Sequence, residues 1–409
     1  MKNVKTLLVI LDGFGDLPCK TLKGKTPLEA AKCENLNYFS RKGIVGCALP
    51  AGSIPPESDV GVLAVLGFDY KKFHLGRGVL ETWGLGYKFK NGQLALRTNF
   101  ACEKNERVIY RNPGKDFTTI EAKKLEKEIN TKVKLSVPFF FKATVDYRGV
   151  VVFSGLNYSK EVTNTHPGYV KKNKGGISRA VGAEGKKIIS AKPLDATIEA
   201  KNSARIINEF VEKTNAVLEK SSINKKRIKQ GKMPANCLLL RDAETRLRKP
   251  PNYLKDWAIL ADMPLEKGIG KLLEMKRVPI KHAFLDKRDY AYRANKAIQA
   301  LKKNNKVYVH LKTPDLPSHD GLVKEKVRVL KEIDLLFFSV LKKKIDLKTT
   351  RLLVTGDHCT PVEKKAHSAD SVPYLLAGPS FAASNKDFTE TNARKVRPIK
   401  SSALMSLLK

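Results

Sequence analysis

The chain has 409 residues, and a compact domain usually has about 100–200, so we expect two or three domains. Its 42% hydrophobic and 8% aromatic residues exclude a disordered or fibrous protein. The formal net charge of +36 suggests a polyanionic partner, but the basic residues form short, scattered runs without interleaved aromatic residues. A dedicated nucleic-acid-binding function is therefore disfavoured.

The first part of the chain predicts a strand followed by helices. Residues 7–11 form a short apolar run typical of a buried parallel strand. At Thr26 the segment TPLEAA predicts a helix start, with Thr26 as N-cap, Pro27 at the first helical position and Glu29 placed to complete a capping box. The stretch ESDVGVLAVLGFD then predicts a second helix, with Ser58 either capping that helix or doing chemistry.

The middle of the chain has a different pattern. Residues 86–155 contain alternating strand-like segments and the helical segment TIEAKKLEKEIN. The Gly- and Lys-rich stretch HPGYVKKNKGGISRAVGAEGKK predicts a flexible surface loop, and residues 196–218 predict a long amphipathic helix. We therefore expect a smaller α+β domain at 81–231, inserted into a discontinuous core of residues 1–80 and 232–409.

The last part of the chain, like the first, predicts buried strands and helices. Apolar runs at 307–311, 352–355 and 372–376 predict buried parallel strands, and residues 323–343 have apolar side chains at helical spacing. Strands that alternate with helices at both ends of the chain predict an α/β core whose sheet is mostly parallel and is flanked by helices.

The compartment can also be predicted. The six cysteines are widely spaced and include no C-x-x-C pair, which is typical of reduced thiols in a cytosolic protein. The N-terminal segment lacks the features of a signal peptide, and no run approaches the ~18 apolar residues of a membrane span. We expect a soluble, cytoplasmic protein that does not bind membranes.

Acidic and histidine side chains follow the predicted strands. Because the carboxyl ends of strands in an open parallel sheet form the binding crevice, these side chains could converge there. Taken singly, each has an ordinary interpretation as a turn former, a helix cap or a surface histidine. The residues are Asp12, Asp315, His319, Asp357, His358 and His367.

The combination of carboxylates and imidazoles indicates a metal site for Mn²⁺ or Zn²⁺ rather than Ca²⁺. The D-x-x-x-H spacing of Asp315 and His319 lets one loop or helical turn supply two ligands. The adjacent Asp357 and His358 point apart if extended, which suits two ions a few ångströms from each other. Two such ions are a common device for phosphoryl transfer, and coordination to a cation would activate the Ser58 hydroxyl.

These residues lie in motifs that resemble the archaeal-type 2,3-bisphosphoglycerate-independent phosphoglycerate mutases, of the alkaline phosphatase superfamily. The resemblance runs over nearly the whole chain and is strongest at its two ends. The motifs, in chain order, are LVILDGFGD, KTPLEAAK, IPPESDVGVLAVLGFD, GRGVLETWG, ALRTNFA, ANCLLL, DLPSHDG and VTGDHCTPVEKKAHSADSVPYLLAGP.

The resemblance implies an alkaline-phosphatase-like core and a complete mechanism. It implies that Ser58 is the nucleophile and becomes transiently phosphorylated. The phosphate would pass from the 3-hydroxyl of phosphoglycerate to Ser58 and return to the 2-hydroxyl, while the insert closes over the substrate. The implied ligands of one metal are Asp12, Ser58, Asp357 and His358, and those of the second are Asp315, His319 and His367.

The implied cofactors are two divalent ions, with Mn²⁺ as the first choice and Zn²⁺ or Co²⁺ also compatible, and no 2,3-bisphosphoglycerate. Arg77, Arg97 and Arg148 are candidates for binding the phosphate or carboxylate of the small phosphorylated substrate, because a guanidinium binds such groups in a bidentate manner. The alternative for each of them is a surface arginine.

The insert departs from the family pattern at three positions. Tyr147 precedes Arg148-Gly149 where a histidine is expected, and Asn164 and His166 lie where a TDTDP-like run is usual. Two alternatives therefore stay open. The first is a phosphatase, phosphopentomutase-like enzyme or phosphotransferase of the same superfamily that acts on another small phosphorylated substrate. The second is a basic nucleic-acid-binding or scaffold protein with a relict site.

Overall fold

The computed structural model describes residues 4–69, 71–73, 75–175, 178–181, 183–280 and 287–408. By internal packing the chain separates into two units. Unit 1 comprises Met1–His74, Pro250–Asp262 and Ile269–Lys409, and unit 2 comprises Leu75–Lys249 and Met263–Gly268. The domain limits predicted from the sequence, residues 81–231 for the insert and residues 1–80 and 232–409 for the core, remain a prediction.

The structure contains the following strands and helices. The strands are β1 (Lys5–Leu11), β2 (Gly43–Leu49), β3 (Leu94–Lys104), β4 (Arg107–Tyr110), β5 (Phe139–Ala143), β6 (Arg148–Phe153), β7 (Tyr169–Val170), β8 (Arg179–Ala180), β9 (Cys237–Glu244), β10 (Trp257–Leu260), β11 (Lys276–Arg277), β12 (Lys306–Leu311), β13 (Thr350–Thr355), β14 (Val372–Ala377) and β15 (Ile399–Lys400). The helices are α1 (Pro27–Ala31), α2 (Glu34–Arg41), α3 (Ser58–Val65), α4 (Arg77–Gly84), α5 (Thr119–Lys132), α6 (Ile198–Glu219), α7 (Ser222–Lys229), α8 (Pro264–Leu272), α9 (Lys287–Lys303), α10 (Asp315–His319), α11 (Val323–Ile333), α12 (Ser339–Lys344) and α13 (Glu390–Ala393).

Unit 1 is built around one eight-stranded sheet. Its strand order is β11-β10-β12-β1-β13-β14-β2-β15, and β1 pairs in parallel with β12 on one side and with β13 on the other. The central strand β1 is buried from Thr6 to Leu11, which explains its continuous apolar sequence. The predicted α/β class with a mostly parallel sheet flanked by helices is confirmed.

Strand β14 runs antiparallel to both of its neighbours, whereas the sequence predicted a parallel strand. A parallel neighbour needs a crossover that returns to the other end of the sheet, usually through a helix. Residues 356–371, which connect β13 to β14, form turns and contain no helix, so the chain stays at one edge of the sheet. His367 therefore lies at the edge where β1 and β13 end, although it precedes its strand in the chain.

Two helical features of unit 1 were predicted from the sequence. The capping box at Thr26 is confirmed, because Thr26 Oγ1 accepts from the Glu29 amide while Glu29 Oε2 accepts from the Thr26 amide. The predicted helix at 323–343 comprises α11, a π-helical segment at Asp334–Phe338 and α12. The Asp334 carboxylate accepts from the Asn35 and Leu36 amides at the first turn of α2. The π-helical segment is therefore hydrogen-bonded to the start of α2.

Unit 2 has an antiparallel sheet of order β4-β3-β6-β5, and β9 pairs with β3. Helices α5 and α6 pack on one face of this sheet, where Leu96 and Phe100 contribute to a buried apolar cluster. Because side chains alternate along a strand, Arg97 and Asn99 of β3 belong to the opposite face. The predicted α+β character of the insert is therefore observed in this unit.

The Gly- and Lys-rich stretch at 166–187 differs from the predicted flexible surface loop. Its first residues, His166, Pro167 and Gly168, are buried, and β7 pairs with β8. The His166 amide donates to the Leu240 carbonyl at 3.1 Å, which ties the start of the stretch to strand β9. Residues 176, 177 and 182 of this stretch lie outside the described residues. Among the helices that the structure describes, none combines the length and the apolar character needed to span a membrane.

Candidate functional site

Six of the seven predicted metal-site residues follow β1, β12 or β13, or precede β14, and these strands are adjacent in the sheet of unit 1. Ser58, the seventh, comes from α3. All seven belong to unit 1, and the structure brings them together in two groups that share one edge of the sheet. Asp12, Asp315, Asp357 and His358 are buried, whereas His319 and His367 are partly exposed.

The first group surrounds His358 Nε2. This nitrogen lies 3.3 Å from Asp12 Oδ1, 3.4 Å from Asp357 Oδ2 and 3.4 Å from Ser58 Oγ. Two ligands that each bind a cation at about 2.1 Å in tetrahedral geometry lie about 3.4 Å apart. The first group therefore has the spacing of ligands around one small divalent ion.

Two buried oxygens of the first group support this interpretation. Neither Asp12 Oδ1 nor Asp357 Oδ2 has a hydrogen-bond partner among the described residues, and both residues are fully buried. A buried carboxylate oxygen without a partner costs free energy unless a cation or a donor binds it. The chemistry of the donor set thus fits a divalent cation at this position.

The second group surrounds Asp315 Oδ1. His319 Nε2 lies 3.4 Å from this oxygen, His367 Nε2 lies 3.8 Å from it, and the two imidazole nitrogens are 3.2 Å apart. These separations are also those expected between ligands of one small cation. The residues of this group come from α10 and from the segment before β14.

The histidine tautomers favour metal binding through Nε2. The Nδ1–H of His367 donates to the Pro56 carbonyl at 2.7 Å, and that of His319 donates to the Lys365 carbonyl at 3.3 Å. His358 Nδ1 lies 3.0 Å from the Thr360 hydroxyl. A hydrogen bond from one ring nitrogen leaves the lone pair of the other available, as in most metal-binding histidines.

Burial and neighbouring charges shift the pKa values of the first group. Burial raises the pKa of Asp357 to about 6, and the neighbouring Asp12 carboxylate contributes to that rise. Burial lowers the pKa of His358, but the Asp357 and Asp12 carboxylates outweigh this effect and raise the pKa to about 9. A cation that binds His358 therefore displaces a proton.

The second group differs in its electrostatics. Burial and the adjacent His358 lower the pKa of His367 to about 4, so this imidazole is neutral at pH 7. Burial raises the pKa of Asp315, but the His319 imidazole and the Lys312 ammonium hold it well below its usual range. A neutral imidazole beside an ionised carboxylate is ready to bind a cation.

Ser58 is the first residue of α3, and Glu57 occupies the N-cap position. The serine is therefore inside the first turn rather than capping it, and it is 2% exposed. Gly61 of the same helix packs so closely on the Asp357 carbonyl that an added Cβ would lie 2.2 Å from that oxygen. This close approach places the Ser58 hydroxyl beside His358.

The sequence did not single out Lys312 or His310. The Lys312 ammonium contacts Asp12 Oδ2 and lies 3.8 Å from Asp315 Oδ2, so it neighbours one carboxylate of each group. His310 Nε2 lies 3.1 Å from Asp12 Oδ2, and its Nδ1 lies 2.8 Å from the Tyr308 hydroxyl. The signal in the sequence was the alternation of polar residues at 308 and 310 in β12 and at 312 directly after it.

The predicted substrate-binding arginines all belong to unit 2. Arg97 is buried and its guanidinium binds Glu81 at 2.8 Å and Asp242 at 3.1 Å. Arg77 also binds Glu81, at 2.9 Å. Arg148 stacks over the ring of Tyr147 at 4.6 Å and lies 3.8 Å from Asp146.

Arg111 and Arg241, which the sequence analysis did not select, extend this group. Arg241 pairs with Arg97 in the register of β9 and β3 and stacks over the Tyr169 ring at 3.5 Å. Burial raises the pKa of Tyr147, but Arg148, Arg111 and Arg241 outweigh it and lower the pKa. The basic cluster, defined as Arg77, Arg97, Arg111, Arg148 and Arg241, therefore creates a positive potential that suits an anion.

His166 and Asn164 lie at two of the positions where the chain departs from the family pattern. His166 is fully buried, and its Nδ1 accepts from the Gly168 amide at 3.1 Å. Nε2 therefore carries the proton, and it has no hydrogen-bond partner among the described residues. Burial and the nearby Arg241 lower the pKa of His166 well below its usual value, so it is a neutral donor. Asn164 instead binds the Tyr169 carbonyl and the Ser178 hydroxyl.

Comparisons with known proteins address the identity of the chain. The family profile of 2,3-bisphosphoglycerate-independent phosphoglycerate mutase matches residues 40–224. A protein of that name from Saccharolobus islandicus is 37% identical over 405 residues, which is 97% of this chain and 94% of the relative. A protein of the same name from Pyrococcus furiosus is 34% identical over 397 residues, which is 95% of this chain and 91% of the relative.

Solved structures agree with the sequence relatives. A protein from Pyrococcus horikoshii superposes with a TM-score of 0.77 at 28% identity and covers 100% of this chain and 97% of its own. The cofactor-independent phosphoglycerate mutase of Thermoplasma acidophilum superposes with a TM-score of 0.58 at 25% identity and covers 100% and 99%. The chain belongs to the family of 2,3-bisphosphoglycerate-independent phosphoglycerate mutases, and the predicted resemblance is confirmed.

Proposed function

We propose that this protein interconverts 3-phosphoglycerate and 2-phosphoglycerate in the cytoplasm, as an isomerase of glycolysis and gluconeogenesis, without 2,3-bisphosphoglycerate. Family membership supports the activity. The observation that carries the mechanism is the placement of Ser58 Oγ 3.4 Å from His358 Nε2, within the group that includes Asp12 and Asp357.

The proposed ligands of the first cation are Asp12, Ser58, Asp357 and His358, and those of the second are Asp315, His319 and His367. Mn²⁺ is the proposed metal, because carboxylate and imidazole ligands suit it, and the same ligands are compatible with Zn²⁺ or Co²⁺. The bound ions would lower the pKa of the Ser58 hydroxyl and neutralise charge on the phosphate.

Ser58 is the proposed nucleophile that accepts the phosphoryl group of 3-phosphoglycerate and returns it to the 2-hydroxyl. Its position in the first turn of α3 exposes a phosphate on Ser58 to the free amides and the positive end of the helix dipole. The Lys312 ammonium, beside Asp12 and Asp315, adds a positive charge where the phosphate charge develops.

The basic cluster of unit 2 is the proposed binding site for an anionic group of the substrate. Arg77, Arg97 and Arg148 keep this proposed role, and Arg111 and Arg241 join them. Their expected contributions differ. Glu81 and Asp242 already neutralise much of the charge of Arg97, whereas the carboxylate found near Arg148 among the described residues is that of Asp146, at 3.8 Å. Of the three arginines that the sequence predicted, Arg77 and Arg97 both bind Glu81 within 3 Å, so Arg148 is the one we expect to be most available to a phosphate or carboxylate.

A coupled assay tests the proposed activity. Purified protein loaded with Mn²⁺ should convert 3-phosphoglycerate to 2-phosphoglycerate with no added bisphosphoglycerate, and it should release little inorganic phosphate. Release of phosphate in place of the isomer would favour a phosphatase or phosphotransferase instead, a candidate that the departures at Tyr147, Asn164 and His166 support. Parallel assays with Zn²⁺ and Co²⁺ would identify the preferred metal.

Replacing Arg148 with methionine should raise the KM for 3-phosphoglycerate by roughly 10–100-fold, the value of one charge-assisted contact of about 1.5–3 kcal/mol. The kcat should change less, because Arg148 is proposed to bind the substrate and not to take part in the phosphoryl transfer. Arg205 lies exposed on α6 of the same unit, so Arg205→Met is the matched control and should leave the KM unchanged. An unchanged KM in Arg148→Met would remove Arg148 from the proposed substrate site.

A further inference from the structure

Lys326 of α11 is a buried lysine that neither the predicted nor the proposed active site uses. Its side chain has no exposed surface. The ammonium donates to Asp16 Oδ2 at 2.7 Å, to the Thr360 carbonyl at 3.0 Å and to the Gly13 carbonyl at 3.2 Å, and the Gly15 carbonyl lies 3.5 Å away. Three short contacts match the three protons of the ammonium.

These carbonyls belong to two loops that carry Asp12, Asp357 and His358 of the first ligand group, whose fourth member, Ser58, comes from α3. The Gly13–Asp16 segment directly follows Asp12, and Thr360 is two residues after His358. The loops also bind each other, since the Thr360 amide donates to the Gly15 carbonyl at 3.0 Å and the Gly13 amide donates to Asp357 Oδ1 at 3.1 Å. Lys326 therefore binds the two loops together at carbonyls next to the ligands.

Thr360 connects this contact to both ligand groups. Its hydroxyl donates to Asp315 Oδ1 at 2.9 Å and lies 3.0 Å from His358 Nδ1. The space is tight, because a Cβ on Gly13 would lie 2.6 Å from the Thr360 hydroxyl and 2.4 Å from Asp315 Oδ1, and the φ of Gly13 is +55°. A shift of the Thr360 backbone would move a ligand of each proposed metal.

Stability alone does not explain a lysine at this position. Burying an ammonium costs several kcal/mol, and an apolar side chain of similar volume in place of a buried ion pair is often neutral or stabilising. The cost is offset here by Asp16, whose carboxylate also accepts from the Val362 amide and whose amide donates to buried Glu390. Such a network specifies where each loop lies rather than adding free energy of unfolding.

We propose that Lys326 is a positioning residue, which sets the separation of the Asp12 loop and the Asp357–His358 loop. Through Thr360 it orients His358 and Asp315 for metal binding. The inference rests on the proposed assignment of the metal ligands. Lys326 acts through the backbone and Thr360, and it touches neither the substrate nor a ligand side chain in this arrangement.

Titration calorimetry with Mn²⁺ on protein stripped of metal tests the proposal. Lys326→Met should weaken Mn²⁺ binding by roughly 10–100-fold, the usual effect of losing a hydrogen bond that orients the metal ligands without binding the metal itself. Thr360→Val keeps the shape of the side chain but loses the hydroxyl, and it should weaken binding by a similar factor. Thr360→Ser restores the hydroxyl and should restore most of the affinity.

Asp334→Asn is the matched control for a loss of stability. Asp334 follows α11 directly and binds the first turn of α2, so the variant should unfold at a lower temperature while its Mn²⁺ affinity stays unchanged. If Lys326→Met does not fold, the Thr360 pair decides the question. Wild-type affinity in Lys326→Met, or in Thr360→Val, would overturn the positioning role alone. A wild-type chain that binds no Mn²⁺ would overturn the ligand assignment and this inference together.

Discussion

The Ser58→Ala variant should lose mutase activity by roughly 10⁴-fold or more, the usual result of removing a nucleophile. The serine hydroxyl is buried beside His358, and the other residues of the first group do not offer a second hydroxyl to accept the phosphoryl group. The variant should still fold, because alanine fits the space of serine and the N-cap of α3 is Glu57. Steady-state rates and circular dichroism measure the two effects separately.

Ser53→Ala is the control for this experiment, since Ser53 is exposed in the preceding turn and should tolerate the change with full activity. Acid quenching of the wild-type enzyme during turnover, followed by mass spectrometry, should find a phosphoryl group on the peptide that contains Ser58. An active Ser58→Ala variant, or a phosphorylated peptide from elsewhere in the chain, would exclude Ser58 as the acceptor.

The His319→Ala variant should bind one Mn²⁺ ion per chain where the wild type binds two, and its activity should fall by roughly 10³-fold, or about 4 kcal/mol of transition-state stabilisation. His319 and His367 approach each other to 3.2 Å beside Asp315, so removing one imidazole leaves two ligands for the second ion. The first group contains none of these three residues and should keep its ion. Elemental analysis of the purified protein measures the metal content.

Asp12→Asn is the complementary variant, because it changes only the first group, where Asp12 Oδ1 lies 3.3 Å from His358 Nε2. Asp12→Asn should lower the affinity of the first group for its ion, while the second group, which contains His319, still binds metal. Two ions in His319→Ala at wild-type affinity would contradict the proposed second site. Loss of both ions in His319→Ala would mean that the two groups bind metal only together.

Several features of unit 1 could be predicted because they depend on local pattern. The apolar run of β1 is buried on both faces and therefore continuous in sequence. The capping box at Thr26 needs only four consecutive residues. The aspartates that follow β1, β12 and β13 could be selected because neighbouring parallel strands end at one edge of the sheet.

Other features depended on contacts between distant parts of the chain. No local pattern indicates that β14 is antiparallel, yet that direction is what places His367 beside His319. From the sequence, Lys326 would be assigned as a solvent-exposed charge in an amphipathic helix. The structure buries it against the Gly13–Asp16 loop, more than 300 residues earlier in the chain, and against the loop at Thr360, 34 residues later. The burial of His166 depends likewise on a bond to β9.

The sequence by itself thus determined the class of the core, the family and the kinds of side chain that could bind metal, because periodicity and short motifs are local properties. The tertiary structure alone decided which nitrogen and oxygen atoms face one another, which arginines are already neutralised by Glu81 and Asp242, and which lysines are buried. Ligand geometry and burial arise from packing between segments that are far apart in the chain, and a pattern of neighbouring residues carries no record of those contacts.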